Sequence, residues 1–117
     1  MNLNKKGKAG ENATVHYLRK KGYKILERNY FCRFGEIDII AEKGDYLAFV
    51  EVKTRSENFL YSPLEAVTTS KQNKILKTAQ VYLSKNNLSE KQPRFDIAEV
   101  YLIDKKINKI NYIENAF

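Results

Sequence analysis

Four charged residues occupy alternating positions in two segments rich in β-branched residues, where extended chains would place their side chains on one face: Glu36, Asp38, Glu51 and Lys53. The two segments are separated by a Gly44-Asp45 pair, which is typical of two-residue hairpin turns. With this pair at the centre of the turn, Asp38 lies opposite Glu51. Glu36 then lies opposite Lys53. The sequence therefore predicts a compact polar group on one face of a β-hairpin.

This polar group has the chemistry of a metal site. Facing carboxylates repel each other, at a cost on the order of 0.2–1 kcal/mol for an exposed pair. A divalent cation between Asp38 and Glu51 would offset the repulsion, and carboxylate oxygens suit Mg²⁺ or Mn²⁺. Zinc is disfavoured because the sequence has one cysteine and one histidine. Lys53 could then stabilise charge on a phosphate or orient an attacking water. The alternative is a solvated strand with a weak Glu36–Lys53 ion pair.

The opposite face of the same hairpin is apolar. The register aligns three pairs of aliphatic residues on it: Ile37 with Val52, Ile39 with Val50, and Ala41 with Ala48. A three-residue turn would instead set Asp38 against an apolar residue, so the two-residue turn fits the pattern better. We expect the apolar face to pack in the core and the carboxylates to point away from it.

The elements that support the hairpin follow from periodicity. A helix is predicted at residues 6–21, closed by Gly22, with an apolar or aromatic stripe made of Ala9, Ala13, His16 and Tyr17. Strands are predicted at 23–30, 36–42, 46–54, 94–103 and 106–113, the last two joined by an Asp104-Lys105 turn, and a second helix at 69–86. This order predicts an α/β or α+β fold with helices packed on a sheet, and it leaves the strand order open.

Length and charge limit the class of protein. The 117 residues fit one domain, and an apolar run long enough for a membrane span is lacking. A net charge of +7 favours a polyanionic partner such as nucleic acid. The single cysteine, Cys32, cannot form an internal disulfide, and no signal-peptide pattern is present. We expect a cytoplasmic protein.

Five blocks of the sequence resemble the small bacterial YraN family: Gly10-Glu11, Arg28-Asn29-Tyr30, Arg33 to Asp38 (RFGEID), Phe49 to Arg55 (FVEVKTR) and Pro63 to Val67 (PLEAV). The Asp38 and Glu51-Val52-Lys53 positions also match the signature of the restriction-endonuclease-like, PD-(D/E)XK nuclease superfamily. Ile37 replaces the proline of that signature, which carries no ligand. The YraN family is itself similar to archaeal Holliday-junction resolvases.

The resemblance implies an α/β fold with a restriction-endonuclease-like αβββαβ core, spanning residues 1–117 as one domain with a mixed central sheet flanked by helices. It implies that Asp38 and Glu51 bind Mg²⁺ or Mn²⁺, with Glu11 as an additional acidic ligand. Lys53 would be the catalytic lysine and Gln72 a further site residue. The resolvase similarity also implies branched DNA as a substrate and a homodimer as the assembly.

Basic residues near these elements are candidates for phosphate contacts: Arg33, Arg55, Lys71 and Lys74. A solvated lysine face on the second helix is the alternative.

The first functional hypothesis is a metal-dependent endonuclease that hydrolyses DNA phosphodiester bonds. The competing hypotheses are a nucleic-acid-binding accessory module with little or no catalysis, and a protein-interaction domain.

Overall fold

The chain alternates helices and strands in an α/β arrangement. The computed structural model describes residues 3–56 and 67–117, except for the side chains of residues 3–6 and 56. The elements are α1 (Leu3–Lys20), β1 (Lys24–Cys32), β2 (Gly35–Lys43), β3 (Tyr46–Ser56), α2 (Thr69–Lys85), β4 (Gln92–Ile103) and β5 (Lys106–Ile113). The predicted order is confirmed, and β1 runs beyond the expected end at Tyr30. Neither helix is long and apolar enough to cross a membrane.

The strands of the described ranges form one five-stranded sheet in the order β1-β2-β3-β4-β5. Neighbouring strands are antiparallel except β3 and β4, which are parallel. A parallel pair needs a crossover connection, and α2 lies in the connection between β3 and β4. The turn between β4 and β5 is made by Asp104 and Lys105, both with positive φ (52° and 67°), as a two-residue hairpin turn requires.

The β2–β3 hairpin has the predicted register over its first half. Lys43 lies opposite Tyr46, and regular pairing continues to Ile39 opposite Val50. Asp38 and Glu51 lie beyond this paired region, so the expectation that the ladder would continue through them, and through Glu36 and Lys53, is wrong. The physical reason is that the Asp38 carboxylate itself accepts the backbone N–H of Val52, at 2.8 Å. The two strands diverge there into a fork.

Each face of the sheet packs against one helix. The α1 face buries a cluster made of Val15, Leu18, Tyr23, Ile39, Ala41, Ala48, Val50 and Ala98. The α2 face buries a second cluster made of Ile37, Ile40, Leu47, Phe49, Ile75, Ala79 and Tyr82. Ile37 therefore packs with Ile40 and not with Ile39, which corrects the prediction that Ile37 and Ile39 share a face. The regular alternation is interrupted at Asp38, where β2 leaves β3.

The buried stripe of α1 differs from the predicted one. Thr14, Val15 and Leu18 are buried, whereas His16 is exposed. Thr14 can be buried because its hydroxyl donates to the Gly10 carbonyl at 2.8 Å, which satisfies the polar group. Gly10 also brings α1 close to β3, since a Cβ on it would lie 2.1 Å from the Thr54 hydroxyl oxygen. The side of α1 that carries Val15 and Leu18 packs against the sheet.

A buried ion pair ties the C-terminal residues to the sheet at the start of β4. Asp96 is fully buried and accepts hydrogen bonds from the Arg94 guanidinium, from the Tyr112 hydroxyl at 2.5 Å and from the Asn115 backbone N–H at 3.0 Å. Arg94 also contacts the hydroxyl of Tyr23. These bonds satisfy the carboxylate, which would otherwise be costly to bury.

Candidate functional site: a carboxylate and lysine cluster at the strand fork

The fork between β2 and β3 opens into a cleft of about 530 Å³. Asp38 lies in this cleft together with residues of α1, β1, β2 and β3: Gly7, Lys8, Glu11, Asn29, Glu36 and Val52. The β2–β3 ladder ends at Ile39 and Val50, so the ladder pairing does not include Asp38. Its carboxylate accepts the Val52 N–H and also lines the cleft. The fork thus positions the first candidate ligand.

The Asp38 carboxyl has an unusual environment for an acid. Burial and the nearby negative charge of Glu51 raise its pKa from 3.8 to about 7, while the Val52 N–H partly opposes this rise in pKa. Glu11 and Glu36 raise the pKa further by the same repulsion. The negative charges of three other carboxylates therefore act on Asp38 at the fork. Such a concentration of negative charge favours either a proton or a cation.

Glu51 is held by two lysines from different elements. The Glu51 side chain is 10% exposed, and its Oε2 lies 3.4 Å from the Lys53 ammonium and 2.5 Å from the Lys71 ammonium. Lys53 follows Glu51 on β3, whereas Lys71 comes from the first turn of α2. The helix begins there because the Thr68 hydroxyl accepts the Lys71 backbone N–H at 3.1 Å. The N-cap of α2 thereby sets the position of Lys71.

The two ammonium groups respond differently to this environment. Burial, followed by the hydrogen bond with Lys71, lowers the pKa of Lys53. Burial also acts to lower the pKa of Lys71, but its hydrogen bond and charge attraction to Glu51 outweigh that and raise the pKa. Lys71 is therefore the firmly charged partner of Glu51. Lys53 loses its proton more easily than Lys71.

Glu11 faces the same cleft but is engaged by β1. Its Oε1 accepts hydrogen bonds from Arg28 Nη2 at 2.8 Å and from Asn29 Nδ2 at 3.0 Å. These bonds connect α1 to β1 and leave Oε2 without a bond to either residue. Residues 3–56 and 67–117 contain no group of three or more acidic, histidine or cysteine side chains that could hold a metal ion. Asp38 and Glu51 are therefore two candidate ligands without a third acidic, histidine or cysteine side chain grouped with them in these ranges.

The other residues predicted for the site have separate positions. Gln72 is half-buried and its amide donates to the Val67 carbonyl at 3.1 Å, so it supports the start of α2. Arg33 is exposed and its guanidinium lies 4.8 Å from the Phe34 ring centroid. Lys74 is exposed beside Gly35. Arg55 is half-buried in β3, opposite Tyr101 of β4.

Lys71 is the main residue whose role the sequence did not reveal. It was predicted to contact phosphate, and the structure pairs it with the carboxylate of Glu51. The available signal was its place three residues after Thr68, a good N-cap residue, in a helix that follows the candidate strand. Arg28 and Asn29 were also missed as partners of Glu11, although all three lie in sequence blocks quoted above.

Together these features define an α/β protein with a five-stranded mixed sheet, two flanking helices and a carboxylate and lysine cluster at a strand fork. Residues 10–100 match the model of the uncharacterised protein family UPF0102. The chain belongs to this family, which confirms the YraN resemblance.

Similar proteins cover almost the full length of the chain. It is 52% identical to a UPF0102 protein of Caldanaerobacter subterraneus subsp. tengcongensis, over 98% of each chain. It is 50% identical to a UPF0102 protein of Clostridioides difficile, over 100% of each chain. A UPF0102 protein of Dictyoglomus turgidum is 48% identical, again over 100% of each chain.

Proposed function

We propose that this protein is a metal-dependent endonuclease that hydrolyses phosphodiester bonds in DNA, including branched DNA, and that its fold is of the restriction-endonuclease-like kind. The observation that carries the proposal is the cluster at the fork. Burial and the negative charge of Glu51 raise the pKa of Asp38, and the Lys53 ammonium lies 3.4 Å from the Glu51 carboxylate. A net charge of +7 adds support, because it favours a polyanionic substrate.

The donor set fits a hard divalent cation. Mg²⁺ is usually held by one or two carboxylates together with water and substrate phosphates, so a third protein ligand is not required. Asp38 and Glu51 would hold the ion, with Glu11 and Glu36 adding negative charge around the cleft. Bound there, the cation would supply Lewis-acid polarisation of the scissile phosphate. Burial and repulsion by Glu51 raise the pKa of Asp38, and a bound cation would relieve the repulsion.

The lysines supply the remaining chemistry. Lys53 would stabilise negative charge that develops on the phosphate. Its side chain is only 14% exposed, so water would screen the ammonium charge little. The pKa of Lys53 is lowered, which favours its neutral amine over the ammonium. The neutral amine could accept a proton from the attacking water. Lys71 neutralises Glu51 in the absence of a cation. An incoming cation therefore competes with Lys71 for the Glu51 oxygen.

A nucleic-acid-binding module without catalysis is the second candidate. Glu51 already has two ammonium partners, so the cluster is partly charge-balanced without a metal. In this case the basic surface would bind nucleic acid while Glu51 and its lysines serve structure. Metal would then leave both stability and phosphodiester bonds unchanged.

A cleavage panel separates the two candidates. Linear duplex, flapped and four-way DNA are incubated with the protein and with Mg²⁺ or Mn²⁺, and products are resolved on denaturing gels. Cleavage that Asp38→Asn and Lys53→Met abolish supports the endonuclease. Glu42→Gln is the matched control, since Glu42 lies on the same strand as Asp38 but pairs with Lys91 far from the fork. Binding of all substrates without metal-dependent cleavage would establish the binding module.

A further inference from the structure

Every charged residue of helix α2 is a lysine. Its 17 residues include four lysines and no acidic residue: Lys71, Lys74, Lys77 and Lys85. At a rise of 1.5 Å per residue, the distance from the first to the last along the helix axis is about 21 Å. Lys71 lies at the Glu51 carboxylate and Lys74 lies beside Gly35. The row of lysines therefore begins at the candidate catalytic cluster and leads away from it.

Farther along the helix, the row reaches a groove of about 560 Å³ between the β1–β2 turn and α2. The groove is lined by Phe34, Lys77, Gln80, Val81, Ser84 and Lys85. None of these residues is acidic, and two carry a positive charge. Phe34 supplies a half-buried aromatic ring, with the Arg33 guanidinium 4.8 Å and the Lys77 ammonium 5.8 Å from its centroid. The groove thus combines an aromatic surface with cations.

We propose that this groove and the lysine row of α2 bind an unpaired DNA strand that continues from the scissile phosphate. Single-stranded nucleic acid is bound by cations that follow its backbone and by aromatic rings on which its bases stack. Phe34 is the one aromatic ring among the residues that line the groove, so a single unpaired base would stack there. Lys77 and Lys85 would contact phosphates of the DNA backbone. Such contacts position the strand without reading its sequence. The inference rests on the proposed function and narrows its substrate to DNA with a single-stranded part.

The first test measures affinity without metal, so that cleavage plays no part. A fluorescein-labelled oligo-dT is titrated with wild-type protein, with Lys77→Ala/Lys85→Ala, and with Lys106→Ala/Lys109→Ala by fluorescence anisotropy. The second pair removes equal charge from β5 and is the control. We expect roughly tenfold weaker binding for the groove pair and a salt slope smaller by about 1.4, at about 0.7 per phosphate contact. Equal losses in both pairs, or none, would overturn the proposal.

The second test addresses stacking at Phe34. Phe34→Leu keeps apolar volume without an aromatic face and should weaken oligo-dT binding several-fold, whereas Phe34→Tyr should bind like the wild type. The sequence has no tryptophan, so Phe34→Trp creates a single emission reporter in the groove. Its emission should be quenched by oligo-dT and far less by a blunt duplex.

The outcomes separate this proposal from the proposed function. Tight oligo-dT binding with unchanged Trp emission would place the strand elsewhere and refute the groove, whatever the cleavage panel shows. Preferential binding of a polyglutamate peptide over oligo-dT would make the groove a site for an acidic protein. Failure of the wild type to cleave any DNA, with normal quenching, would refute the endonuclease and leave the groove in place.

Discussion

Replacing Asp38 with asparagine should make the folded protein more stable at alkaline pH. The pKa of Asp38 is raised from 3.8 to about 7, so between these values the folded protein binds more protons than the unfolded chain. The free energy of unfolding therefore falls as pH rises through this window. Asparagine keeps the shape and an oxygen that can accept the Val52 N–H, but it carries no charge.

The magnitude follows from the shift in pKa. A rise from 3.8 to about 7 corresponds to roughly 4 kcal/mol at about 1.4 kcal/mol per pH unit. Solvent in the open cleft and the weaker hydrogen bond of a neutral amide reduce this value, so we expect Asp38→Asn to gain about 1–3 kcal/mol at pH 8. As the pH falls through 3.8, the Asp38 carboxyl becomes protonated in the unfolded chain as well as in the folded protein, so the stabilities of the wild type and Asp38→Asn should converge.

Urea unfolding followed by circular dichroism from pH 4 to pH 8, without metal, measures this difference. Asp45→Asn is the control, because Asp45 is exposed at the β2–β3 turn. In a parallel series with saturating Mg²⁺, the wild type should gain stability and Asp38→Asn should gain much less, since a neutral amide is a poorer ligand. A variant less stable than the wild type at pH 8, or a constant difference across the pH range, would refute the reasoning.

Three further substitutions test other parts of the structure. Lys71→Met removes the ammonium that competes for Glu51, so Mg²⁺ should stabilise the variant at several-fold lower concentration than the wild type, as measured by thermal unfolding. Asp96→Ala leaves the buried Arg94 guanidinium without its main partner and should cost about 3–5 kcal/mol in urea unfolding; a loss below 1 kcal/mol would contradict this. Gly10→Ala forces a Cβ against the Thr54 hydroxyl and should cost about 1–3 kcal/mol in urea unfolding, and adding Thr54→Ala, which removes that hydroxyl, should recover part of the loss.

Local sequence patterns were sufficient for the elements and for one register. The Gly44-Asp45 turn and the alternation around it led to the pairing of Lys43 with Tyr46 and of Ile39 with Val50. The helical spacing after residue 69 and the Asp104-Lys105 turn were equally informative. These features depend on residues close together in the chain, whose backbone geometry and side-chain period are set by a few neighbours.

The composition of the candidate site was also present in the sequence. Asp38, Glu51 and Lys53 were recognisable as a group because their residue types suit metal and phosphate chemistry and their strands are adjacent. The assumption that failed was continuous pairing, which a side chain interrupted by taking the Val52 N–H in place of a backbone partner. An aspartate in a strand gives no local sign that it will end the ladder.

Only the tertiary structure decided the strand order, the face that α1 buries and the meeting of Lys71 with Glu51. Lys71 reaches Glu51 because α2, in the crossover between β3 and β4, lies on one face of the sheet. No short sequence pattern specifies on which face a crossover helix packs. The same holds for Gly10, whose missing side chain matters only where Thr54 comes close. Contacts between residues far apart in the chain depend on how all elements pack together, so periodicity within each element cannot specify them.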